Sequence, residues 1–193
     1  MKDKLVIIDN EFITKEEAAQ FKEKVLGHPT ALWKFETFTS YEQDRELDSN
    51  IKDSHQFVSA IGNVNPLRKP ALDLFNKFIS KHNISYTEIT RIKFNVVPRG
   101  SAENAGKWHM PHVDTDKPHK VFLYYLNDSD GDTYFFNKYH QLGDDAKDVN
   151  NLEVSQTVTP EGGKGVVFDG LIYHSSSSPI NSDYRVVLNI DFI

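Results

Sequence analysis

The 193-residue sequence predicts a mainly β (α+β) domain, a jelly roll braced on its outer face by N-terminal helices. Three observations predict it. Amphipathic helical spacing is confined to the first half of the chain, where Leu67, Ala71, Leu74, Phe75 and Phe78 fall on one helical face. From Tyr86 onward the chain breaks into short β-rich runs bounded by turn residues, the texture of a sandwich, barrel or jelly roll. No Pro/Ser linker, repeat or low-complexity tract interrupts it, so helices and strands are expected to share one domain over 1–193, with 1–85 as helical support and lid region and 86–193 as the jelly-roll core.

In chain order the first element is a short strand, Leu5 to Ile8. A helix follows from about Thr14 to Leu26, where Thr14 and Glu17 have the spacing of a capping box and Gly27 with Pro29 supplies the stop. A strand is expected around Trp33 to Phe38. The acidic stretch from Tyr41 to His55 lacks apolar periodicity and reads as loop, lid or solvated surface. The second helix spans about Pro66 to His82. Strands are then expected at Tyr86–Val97, His119–Asn127, Asp132–Lys138, Leu152–Thr159, Gly165–Phe168, Ile172–His174 and Tyr184–Phe192.

Composition narrows the chemistry. With 22 basic and 28 acidic side chains the formal charge is −6, which argues against a protein that binds by neutralising nucleic-acid phosphates. The absence of cysteine excludes disulfide scaffolds, thiolate metal sites and a cysteine nucleophile, so any metal must be held by His, Asp or Glu. No window approaches the roughly 20 apolar residues of a membrane span, and the N-terminal apolar run is too short for a signal sequence, so a soluble, cytoplasmic protein is expected.

The last run has two different faces. Tyr184, Val186, Leu188, Ile190 and Phe192 are apolar, whereas Arg185, Val187, Asn189 and Asp191 alternate with them. A strand flanked on both sides that carries such a set is expected to line a wet cavity. His112-Val113-Asp114 places two metal-competent side chains on one side of an extended chain. Alone the pattern is weak, since the composition yields about 0.7 such triplets by chance. His174 offers a third donor, and two imidazoles with one carboxylate leave open positions on an octahedral ion, a set diagnostic of non-haem iron oxygenases. Arg185, eleven residues later, needs an anionic partner, either a bound carboxylate or a protein group such as Asp191.

These residues, together with Val121 to Asp128, Gly131 to Phe135 and Gly163 to Phe168, resemble the prolyl-hydroxylase-like branch of the 2-oxoglutarate and iron(II)-dependent dioxygenases over nearly the whole chain. The resemblance implies a double-stranded β-helix in which His112, Asp114 and His174 hold Fe(II), with 2-oxoglutarate and O2 as cosubstrates. It implies further that Arg185 grips the 5-carboxylate of the cosubstrate, that Tyr125 adds a hydrogen bond to it, and that Asn95 is a cosubstrate contact. Val97 stands where many prolyl hydroxylases have tyrosine. The implied substrate is a small molecule or a peptidyl side chain hydroxylated at C–H; membranes are not implied, and the sequence is silent on oligomeric state. The loop 99–111 is expected to close over substrate with Trp108 as an apolar wall, and His109 is expected to act behind the ligands or at the surface. The remaining histidines, including His119 and His140, read as solvated. Two rival readings stand beside this one: a jelly-roll binding module without turnover, and a nucleic-acid demethylase of the same superfamily, whose usual second arginine falls at Asp191.

Overall fold

Strand alternation and strand pairing together decide the architecture. The computed structural model describes residues 6–29, 32–40, 53–141, 149 and 151–193. The acidic stretches at 41–52 and 144–148 lie outside them, as does Leu5. In chain order the elements are β1 (Val6–Asp9), α1 (Lys15–Leu26), β2 (Lys34–Glu36), β3 (Gln56–Ala60), α2 (Arg68–Lys81), β4 (Ile89–Pro98), β5 (Lys120–Tyr125), β6 (Thr133–Tyr139), β7 (Val154–Val158), β8 (Gly165–Asp169), β9 (Ile172–Ser176) and β10 (Tyr184–Phe192). The result is mainly β with two helices. Seven strands form one sheet in the order β1-β8-β5-β10-β4-β3-β2, and three form a second, β7-β6-β9. No helix among the described residues is long and apolar enough to cross a membrane.

Both helices cover the outer face of the large sheet. The capping box at the start of α1 is present: Thr14 Oγ1 accepts from the Glu17 N–H at 3.2 Å and Glu17 Oε2 accepts from the Thr14 N–H at 2.8 Å. From α1, Ala18, Phe21 and Val25 are buried, and from α2, Ala71, Leu74, Phe75, Phe78 and Ile79. They pack on Phe94, Phe122, Tyr124, Leu188, Ile190 and Phe192 of the sheet, each large side chain contributing about 1.5–3 kcal/mol by leaving water. The approach of α2 is so close that a Cβ at residue 165 would stand 2.7 Å from the Phe78 ring, which is why β8 begins with glycine.

Three differences from expectation have physical reasons. β3 had no strand reading; its five residues become a strand because β4 offers a free edge, pairing Phe57 with Val96 and Val58 with Asn95. β4 starts at Ile89 rather than Tyr86, because the Thr87 and Glu88 N–H groups are turned to the Ile193 carbonyl instead. α2 starts two residues after Pro66, where Asn65 Oδ1 accepts the Leu67 N–H at 2.8 Å and forms a tight turn first. β10 matches its expected bounds, and its two faces part as expected: Val186, Leu188, Ile190 and Phe192 join the helical core, whereas Arg185, Val187, Asn189 and Asp191 face the other way.

Candidate active site

The register of β10 against β4 sets out a ladder of polar side chains. Arg185 stands opposite Val97, Val187 opposite Asn95, Asn189 opposite Lys93 and Asp191 opposite Arg91. Because side chains alternate, these eight share the face that looks between the two sheets. A cleft lies there, with Lys93, Asn95, His112, Asp114, His174 and Arg185 among its walls.

Backbone pairing brings the expected metal ligands together. His112 and His174 exchange N–H···O=C bonds of 2.9 and 3.0 Å, so their rings project side by side with centroids 4.9 Å apart. Asp114, two residues along the extended chain, returns to the same face. The donor atoms of the three side chains all lie within 4.8 Å of one another, with His174 Nε2 3.6 Å from Asp114 Oδ2.

The chemistry of these donors fits a divalent cation. Nδ1 of His112 is 3.0 Å from the Met110 carbonyl, and Nδ1 of His174 is 3.0 Å from the Ile172 carbonyl. A carbonyl only accepts, so in each ring Nδ1 carries a proton and Nε2 is the nitrogen left available to a bound ion. Burial, followed by the neighbouring His174, pushes His112 down to about 4, which leaves it neutral and able to ligate at pH 7. Asp114 Oδ2 is buried without a hydrogen-bond partner. Burial alone would raise the Asp114 carboxyl; Lys93, His174 and Arg91 instead hold it well below the usual range, so it is ionised.

The other oxygen of Asp114 is tied back. Arg91 donates to Asp114 Oδ1 and sits 2.7 Å from Asp191 Oδ2, while Lys93 Nζ lies 3.7 Å from Asp114 Oδ1. The suggested Arg185–Asp191 pair is therefore corrected: Asp191 is cross-strand from Arg91 and spends its charge there.

Arg185 is only 4% exposed. Its Nη2 donates to Thr133 Oγ1 at 2.8 Å, its Nε has no partner, and none of the described carboxylates forms an ion pair with it. Asp132 acts on it only at longer range, and burial holds the guanidinium below its ordinary pKa. Tyr125 lies behind this group: its hydroxyl donates to the same Thr133 Oγ1 at 2.7 Å, and the Arg185 Cζ stands 5.5 Å from its ring centroid. Tyr125 is wholly buried and touches Arg185 both directly and through Thr133, and it is not among the residues that line the cleft. Asn95 does line the cleft, but its Nδ2 is already given to Gln56 Oε1 at 2.6 Å.

Other expectations near the site change. Trp108 is not a wall of the cleft. It packs against Tyr134 and Phe136 with ring centroids 5.8 and 5.5 Å away, in a cluster with Met110, Val113 and Tyr173. His109 is buried, with Nδ1 3.1 Å from Ser176 Oγ and Nε2 3.0 Å from Ser178 Oγ. His119 and His140 are buried as well, not solvated. The His119 ring fills the space beside Gly170, where a Cβ would lie 2.1 Å from its Nε2. Arg91, Lys93, Thr133 and Gln56 were not singled out from the sequence. The first two could have been, since Arg91, Lys93, Asn95 and Val97 alternate with Ile92, Phe94 and Val96 just as the β10 residues do.

Fold and site geometry together define a class: the chain has the fold of non-haem iron, 2-oxoglutarate-dependent oxygenases of known structure. It resembles a prolyl hydroxylase from Trichoplax adhaerens, solved with a hypoxia inducible factor peptide fragment, at 15% identity and a TM-score of 0.63 over 99% of this chain and 84% of that one. A Pseudomonas putida prolyl-4-hydroxylase aligns at 13% identity and a TM-score of 0.60 over 98% and 92% of the two chains. The α-ketoglutarate-dependent epimerase SnoN from nogalamycin biosynthesis aligns at 11% identity and 0.67 over 98% and 78%. No protein-family model matches the sequence, and no curated protein matches it.

Proposed function

We propose that the chain is a 2-oxoglutarate and Fe(II)-dependent oxygenase, its two sheets forming a double-stranded β-helix over 1–193, that hydroxylates a C–H bond of a prolyl or other amino-acid side chain. One observation carries the reading. Two imidazoles with their Nδ1 atoms anchored on carbonyls and an Asp oxygen without a hydrogen-bond partner among the described residues meet in the same cleft as a buried guanidinium that pairs with none of the described carboxylates. The first set suits a ferrous ion and the second suits the distant carboxylate of a dicarboxylic acid.

His112, Asp114 and His174 would hold the metal, which when bound supplies activation of O2 for attack on a C–H bond. Arg185 binds the 5-carboxylate, with Thr133 fixing the plane of its fork. Leu123, Phe168 and Val187 give the cleft an apolar lining that excludes water around the cosubstrate. Arg91 and Lys93 keep Asp114 charged, and the two Nδ1–H···O=C bonds fix the His tautomers. Overall, O2, 2-oxoglutarate and R–H yield R–OH, succinate and CO2, one oxygen atom going to each organic product. The chain needs no acid or base of its own for this balance.

The test is succinate release in the presence of Fe(II), ascorbate and 2-oxoglutarate, with and without a panel of peptides and free amino acids. The wild type is expected to release succinate and His174→Ala to release none. Equal release from both, at the level of protein-free controls, would overturn the assignment.

A further inference from the structure

Asparagine and glutamine amides have a donor end and an acceptor end, and here a chain of hydrogen bonds decides which way each one lies. Gln56 Nε2 is 3.2 Å from the Phe38 carbonyl and 3.5 Å from that of Thr39. Carbonyls only accept, so the nitrogen of Gln56 must point to them and its Oε1 must point away, toward Asn95. The 2.6 Å contact between Gln56 Oε1 and Asn95 is then made by the Asn95 nitrogen. What remains of Asn95 is Oδ1, which is buried and has no partner among the described residues, on a residue that lines the cleft and is only 7% exposed.

A buried oxygen of this kind asks for a donor. The cosubstrate, as a dianion with a keto group, has none to give. The other cleft residues narrow the donor further: among the charged side chains on these walls, Lys93 and Arg185 outnumber Asp114, which Arg91 and Lys93 already neutralise, so a further ammonium group is disfavoured and a neutral N–H or O–H is left.

We infer that Asn95 Oδ1 receives a neutral hydrogen-bond donor, an amide N–H or a hydroxyl, from the substrate that is oxidised, and that Asn95 is a specificity residue, not a cosubstrate contact. The inference rests on the oxygenase reading. It deepens that reading by stating the substrate class: molecules with an N–H or O–H near the oxidised carbon, a peptide backbone amide among them. Substrates that lack the donor leave Oδ1 unpaired and are disfavoured by about tenfold or more.

The experiment uses Mn(II)-loaded protein without oxygen and has two arms. In the first, titration with 2-oxoglutarate compares the wild type with Asn95→Leu; less than a twofold change in Kd is expected, and a loss of tenfold or more would make Asn95 a cosubstrate contact and overturn the inference. In the second, Mn(II)-induced proton relaxation is compared for N-methylacetamide against N,N-dimethylacetamide, and for 2-propanol against its methyl ether. The donor-bearing member of each pair is expected to relax several-fold faster with the wild type and with Asn95→Asp, which keeps an acceptor, and no faster than its partner with Asn95→Leu. Equal relaxation within the pairs on the wild type overturns the inference. Failure of wild-type protein to bind 2-oxoglutarate at all is a separate result, which sinks the oxygenase reading itself.

Discussion

Two arginines stand near opposite ends of the polar face shared by β4 and β10, and their surroundings are opposite. Arg91 is partly exposed and lies between two carboxylates, Asp114 and Asp191. Arg185 is buried against a threonine, and none of the described carboxylates pairs with it. Six residues of β10 separate Arg185 from the rung of Arg91, a span of about 20 Å. Structural arginines are neutralised within the fold, because an uncompensated buried charge is expensive. On the proposed reading, the Arg91 end is an internally neutralised pair that would aim a metal ligand, and the Arg185 end is a site that an incoming anion would complete.

Removing each arginine should separate these roles. Arg185→Leu is expected to weaken 2-oxoglutarate about 100-fold, the loss of one member of a buried charged pair, while the melting temperature of the ligand-free protein stays level or rises. If ligand-free Arg185→Leu melts well below the wild type, Arg185 has a structural partner and the contrast fails. Arg91→Leu should do the reverse, lowering the stability of the ligand-free protein by about 3 kcal/mol because Asp114 and Asp191 then repel each other unscreened. It should also weaken Mn(II) binding about tenfold or more, read by titration, through loss of the group that orients Asp114.

A pH experiment sharpens the comparison at the buried histidine near the Arg185 end. His109 is pushed down to about 4, first by burial and then by Arg185 and His112 acting against Asp53. Its folded pKa lies below the ordinary 6.5, so between those values the unfolded chain binds a proton that the folded chain refuses. Stability is complete above about pH 6.5 and falls as the pH drops toward 4, by up to about 3 kcal/mol for this group. His109→Gln should flatten that part of the stability-against-pH curve measured by chemical denaturation; an unchanged slope contradicts the assignment.

The smallest effect concerns the turn that leads into β10. Asp130 accepts the backbone N–H groups of Ile180, Asn181 and Ser182 at 3.1, 2.8 and 3.0 Å. Burial opposes ionisation, but these bonds together outweigh it and hold its carboxyl well below the usual range, so its contribution is present above about pH 4 and lost as the pH falls through the folded value. Asp130→Ala is expected to cost about 2 kcal/mol at pH 7, with less difference from the wild type in strong acid.

The Arg185 half of this contrast was legible in the sequence, and the Arg91 half was not. The two faces of β10 follow from alternation alone, and His112, Asp114, His174 and Arg185 were all placed on the cleft before any pairing was known. Pairing is what the sequence withheld. That Asp191 belongs to Arg91 and not to Arg185 depends on the register of β4 against β10, which no local pattern encodes. β3 became a strand through its neighbour's free edge, and Gln56 entered the site with it. Trp108 packs on Tyr134 and Phe136, residues of β6 far from its own segment in the chain. The candidate ligands and Arg185 were thus legible from residue type, alternation and the family resemblance, whereas the groups that contact them are set by pairing across the sheet.

The central claim is that metal ligands and an anion clamp share one cleft and act on one dicarboxylate. Anaerobic titration of the protein with Fe(II) and 2-oxoglutarate, followed in the visible region, tests it most directly. A weak charge-transfer band should develop only when both are present, vanish with His174→Ala, and require far more 2-oxoglutarate with Arg185→Leu. A wild-type protein that stays colourless with both at saturating concentration would contradict the account.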